Sequence, residues 1–89
     1  GAEKAADDFL YTAAGQRNSN HTGPFVRFEG VPFAMEEVLF DPQTSGGLLL
    51  AVDPVEASAL EKELQSAGLP TKIVGEIVPR TETEIAVTY

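Results

Sequence analysis

The chain has no cysteine, a single histidine and only six basic residues. Without cysteine there are no disulfides and no thiolate metal sites, and the redox compartment is left open. One histidine and no cysteine also leave no Ser-His-Asp or Cys-His constellation to assemble. Six Lys and Arg against fourteen Asp and Glu give a net charge of −8. That balance argues against DNA, RNA and anionic membranes as partners, because phosphate-rich surfaces demand a basic footprint. The acids are scattered, as on a solvated surface. Long apolar runs are missing too. The longest, Leu48 to Val52, has five residues, against the roughly 18 of a membrane helix. The N-terminal residues show no signal-peptide charge pattern, and a cytoplasmic protein is expected.

What is present describes a small globular unit. Hydrophobic residues make up 43% of the 89, ordinary for a folded domain and too many for a disordered one. A chain of this size buries about 60–65% of its unfolded surface, which leaves a thin stability margin. Residues 3 to 13 carry Ala6, Phe9, Leu10 and Ala13 at helical spacing, predicting a short helix that stops at Gly15. Residues 15 to 24 are almost wholly polar and read as a loop. Phe25 to Phe28 alternates like a strand, and Glu29-Gly30 turns the chain. Pro32 suits the first position of a helix over Phe33 to Leu39. Asp41, which precedes Pro42, is pushed towards extended geometry and closes that helix.

In the second half, Leu48 to Val52 reads as a strand buried on both faces. Asp53-Pro54-Val55-Glu56 is a helix start: an acidic N-cap, proline at N1 and glutamate at N3. The helix places Ala57, Leu60, Leu64 and Ala67 on one stripe and ends at Gly68 and Pro70. Lys72 to Val78 and Glu84 to Tyr89 read as two further strands. The expected fold is α+β, a small mixed sheet with helices on one face. Residues 1–24 supply a helix and a polar loop, and residues 25–89 an α/β core.

The main candidate site is the loop Asp41, Gln43, Thr44, Ser45, Gly46 and Gly47. Hydroxyls, an amide and backbone N–H groups free at adjacent glycines suit an oxyanion or phosphate, and glycine permits close approach. The plain alternative is a tight turn. The loop matches neither the Walker pattern nor the dinucleotide fingerprint, and it leads into a strand, whereas strong anion sites precede a helix. Arg17 offers a phosphate clamp and His21 a titratable ring, or both are simply solvated. Asp7-Asp8 and Glu36-Glu37 are acidic pairs, but helix neighbours point about 100° apart and do not converge on one ion. No residue is assigned a catalytic or metal-binding role.

Val38 to Val52, with Asp41-Pro42-Gln43-Thr44-Ser45-Gly46-Gly47-Leu48-Leu49 at its centre, resembles the "LFDPQTSGGLL" segment of the selenophosphate synthetases (selenide, water dikinases). Arg17-Asn18 is similar to the end of that family's "YRN" segment, with Gln16 where tyrosine is usual. Gly68 and Ile73 to Val78 resemble its "AG…IGEV" close. The likeness covers nearly all of residues 3 to 89. It implies the C-terminal domain of the aminoimidazole ribonucleotide synthetase-like fold, and an enzyme that converts selenide to selenophosphate with ATP and Mg²⁺, releasing AMP and phosphate. The nucleophile, lysine and metal-binding aspartates of that family belong to an upstream N-terminal domain, whose motifs are not in this chain. The resemblance therefore implies a part that needs the N-terminal domain as partner, holds no cofactor itself and is inactive alone, with self-association through uncovered apolar surface. Asp41–Gly47 would then face the cleft over the phosphates. A stand-alone binding module of the same fold is the alternative.

Overall fold

The computed structural model describes every residue from Gly1 to Tyr89. They form two compact units, Gly1–Gly46 with Pro79–Tyr89, and Gly47–Val78.

The first unit contains α1 (Ala2–Asp7), α2 (Ala13–Thr22), a 3-10 turn (Gly23–Phe25), β1 (Val26–Glu29), α3 (Phe33–Phe40) and β2 (Ile85–Thr88). β1 and β2 lie parallel, with Val26 opposite Ile85 and Phe28 opposite Val87. The Glu84 N–H donates to the Phe25 carbonyl at 3.0 Å, extending the ladder where the strands begin. The Phe28 ring meets Phe40 of α3 edge-on at 5.6 Å, a geometry that contributes about 0.5–1.5 kcal/mol beyond area burial. Ala6 of α1 and Ala34 of α3 are buried where these two helices pack.

Three points in this unit differ from the sequence reading. The first helix stops at Asp7, well short of Gly15. Phe9 takes a left-handed φ of 61°. The Leu10 N–H reaches the Ala5 carbonyl at 2.9 Å and the Phe9 N–H the Ala6 carbonyl at 3.0 Å, the pattern of a Schellman stop without its usual glycine. The polar stretch expected as a loop is the helix α2. Thr12 caps it by accepting from the Gly15 N–H at 2.9 Å. Asn18 then ties it to α3 by donating to the Phe40 carbonyl at 2.8 Å. Gly15 is a point of close approach here, not a terminator. A Cβ on it would lie 3.7 Å from the Asp41 Cα. A polar helix leaves no apolar period to read, so its cause is tertiary. Pro32 occupies the N-cap of α3, one place before the expected first position.

The chain's end is also tied down. The Tyr89 hydroxyl donates to Glu3 Oε1 at 3.2 Å. The Glu3 carboxylate, by its charge first and its hydrogen bond second, raises the Tyr89 phenol above its ordinary value of 10.0. A raised folded value means the contact supports the fold below about pH 10 and is lost as the pH climbs through the folded value. Ultraviolet difference titration of Glu3→Gln should show a phenol ionising earlier than in the unaltered chain. Coincident curves would remove the interaction.

The second unit holds α4 (Pro54–Ser66). Its start is the expected one, with the Val55 N–H donating to Asp53 Oδ1 at 2.9 Å. Its end is a full Schellman motif. Gly68 sits at φ 82°, and the N–H groups of Leu69 and Gly68 reach the Leu64 and Gln65 carbonyls, both at 3.0 Å. Ala57, Leu60 and Leu64 are half-buried, while Ala67 is exposed. Asp53→Ala should cost about 1 kcal/mol of helix stability, read as lost α4 amide protection in hydrogen exchange. Unchanged protection would show the cap to be idle.

The strands expected at Leu48–Val52 and Lys72–Val78 do not form, and the sheet has the two parallel strands β1 and β2. Leu48 is 90% exposed, Leu49 86% and Ile77 89%. A strand is defined by its neighbour's hydrogen bonds, and an apolar run cannot supply them. The α+β class holds, with four helices and this small sheet. No helix is long and apolar enough to cross a membrane.

Candidate functional site

The Asp41–Gly47 loop begins at the C-terminus of α3, where the last carbonyls of a helix lack partners. Side chains supply them. Gln43 Nε2 donates to the Val38 carbonyl at 3.3 Å, and Asn18 serves Phe40. Asp41 Oδ1 accepts from the Thr12 hydroxyl at 2.7 Å. Thr12 thus closes α2 on one side and holds Asp41 on the other. Three hydrogen bonds anchor the loop at its start, and Asp41 and Gln43, singled out from sequence, make two of them.

Beyond that anchor the loop is open. Thr44 and Ser45 are exposed. Gly46 has φ 129° and Gly47 φ 74°, conformations that L side chains adopt only under strain. A Cβ at either would meet no atom within 4 Å. The glycines are therefore required by backbone geometry. Arg17 and His21 are exposed on α2, His21 in its last turn. Asp8 pairs with Lys4 at 3.0 Å on the surface, a contact of about 0.3–0.5 kcal/mol. No group of three or more His, Asp or Glu side chains comes together to hold a metal ion.

Asp41 and Gln43 also line a groove of about 190 Å³ together with Tyr11, Thr12 and Glu37. Sequence reasoning missed Thr12 and treated Glu37 only as half of an acidic pair. A signal existed for Glu37: it follows the apolar Ala34 by three residues, on one side of the expected helix. Nothing local marked Thr12, whose partner lies 29 residues away.

Comparison with known proteins follows the loop. The chain is 57% identical over 88 residues to the selenide, water dikinase of Agathobacter rectalis, covering 98% of this chain and 26% of that protein. It is 41% identical over 80 residues to the selenide, water dikinase of Desulfitobacterium hafniense, covering 90% and 24%. That of Treponema denticola is 38% identical over 91 aligned positions, covering 96% and 25%. No family model matches the chain, and no solved structure does. The chain spans about a quarter of the length of the curated relatives it matches. Nearly all of its residues align, at up to 57% identity, with selenide, water dikinases. These 89 residues belong to the selenide, water dikinase family.

Proposed function

We propose that this chain is the C-terminal part of a selenophosphate synthetase, a cytoplasmic enzyme making selenophosphate from selenide and ATP with release of AMP and phosphate. The observation that supports it is the 57% identity with a selenide, water dikinase across 98% of the chain. Asp41, Gln43, Thr44, Ser45, Gly46 and Gly47 would form one wall of the cleft over the ATP phosphates. Exposed hydroxyls at Thr44 and Ser45 can donate to phosphate oxygens, and the glycines allow backbone approach.

These residues position and shape; they do not perform acid or base steps. The carboxylates present do not fit a magnesium ion by themselves, so no step runs through one. The loop has no basic side chain, and phosphoryl transfer needs metal ions and cationic groups against the developing charge. Those belong to the partner of this segment, the N-terminal domain of the longer enzyme. The test is a graft of these 89 residues into the Agathobacter rectalis relative in place of its matching segment, read by selenide-dependent AMP release.

A further inference from the structure

The C-terminal end of α3 carries negative charge with nothing set against it. Glu37 is 6% exposed. The three ion pairs of the chain are Lys4–Asp8, Arg27–Glu29 and Arg80–Glu84, and none includes it. Its carboxylate accepts no hydrogen bond from any other residue. No buried side-chain polar atom lacks a partner, so the Glu37 oxygens keep some contact with solvent, and Glu37 lines the groove. A carboxylate on so buried a residue keeps only part of its hydration, and a donor or cation meeting it offsets the loss.

Asp41, on the same groove, spends Oδ1 on Thr12 and has Oδ2 to spare. Glu37 lies in the last turn of α3 and Asp41 is its C-cap, where the helix end adds its own partial negative charge. No basic residue lies in the last turn of α3, and no lysine or arginine lines the groove. Its remaining walls include Ala5, Ala6, Leu10 and Val38. Two carboxylates and apolar walls are a poor site for a bare divalent ion, which wants six or more oxygens. They suit a cation that brings its own hydrogen-bond donors and an aliphatic stem.

We propose that this groove binds a guanidinium or primary ammonium group carried on a short aliphatic chain, with Glu37 and Asp41 as its acceptors. The stem lies against the alanines and Leu10. The cation neutralises the pair and offsets the burial of Glu37. Arginine and lysine side chains share this chemistry with free alkylamines. The site does not depend on the selenium chemistry proposed above, and it is tested without it.

Amide NMR of the nitrogen-15-labelled chain is titrated with agmatine, with a blocked Ala-Arg-Ala peptide, and with potassium chloride at matched ionic strength. Saturable shifts at groove residues with agmatine, absent with potassium chloride, support the site. Binding of the peptide as well assigns the source to a protein side chain; binding of agmatine alone assigns it to a free cation. Glu37→Gln and Asp41→Asn should each weaken binding at least about tenfold, while Glu36→Gln leaves it unchanged. If Glu37→Gln disturbs the fold, Asp41→Asn decides the outcome. Affinity indifferent to both substitutions, shifts matched by salt, or a chain without dispersed amides would overturn the proposal.

Discussion

Given selenide, ATP and magnesium, the isolated 89-residue chain releases no AMP above background, whereas the graft into the Agathobacter rectalis relative turns over within about tenfold of that enzyme. The first half rests on what phosphoryl transfer requires. Barrier lowering comes from metal ions and cations arranged on the transferred group. This chain offers no converging carboxylates for a metal, and three of its six cations, Lys4, Arg27 and Arg80, are engaged in surface pairs. The second half rests on the 57% identity, which runs across 98% of the chain. Turnover by a contaminant-free isolated chain would sink the partial-enzyme reading. A folded but silent graft would favour a binding module that kept the family's wording without its work.

Gly46→Val, made in that active graft, should lower kcat at least about a hundredfold with little change in Tm. Gly46 sits at φ 129°, where a β-branched residue costs about 1–3 kcal/mol of backbone strain. The loop relieves that strain by rotating, which re-aims the N–H groups of Gly46 and Gly47 and moves the Thr44 and Ser45 hydroxyls. A misplacement of about 1 Å at such donors is enough for a hundredfold loss. Folding is spared because the new side chain enters open space, with no atom within 4 Å of its Cβ. Gly46→Ala, strained but smaller, should fall between. Normal kinetics for the valine variant would demote the loop to a structural turn. A collapse of Tm would make the glycine a folding residue instead.

Features written in a few neighbouring residues were legible. Asp53-Pro54 and Gly68-Pro70 bracket α4 because capping and the Schellman stop close within one or two turns. The Asp41-Pro42 step ends α3 for the same kind of reason, with Asp41 held at ψ 134°. Ile85, Val87 and Tyr89 announced β2 by alternation. α2 was not legible. Its residues have no apolar stripe, and its anchors are Asn18 on Phe40 and Thr12 on Asp41, separated by 22 and 29 residues. Leu48–Val52 misled in the other direction, since a run rich enough for a buried strand is exposed and forms none.

Legible in residue order alone were the family, the α+β class, the C-terminal stop of α3, both ends of α4, and the loop that carries the family's wording. Each is encoded by residue type at short range, through dihedral limits, capping donors or an uninterrupted string of identities. Only the tertiary structure decided that the loop is clamped at Asp41 by Thr12 and at Gln43 by Val38. It alone turned a polar stretch into α2 and buried Glu37 on a groove that Asp41 also lines and no lysine or arginine does. Burial and pairing between distant residues belong to the packed chain, because the energy of a carboxylate or a strand depends on what stands next to it in space.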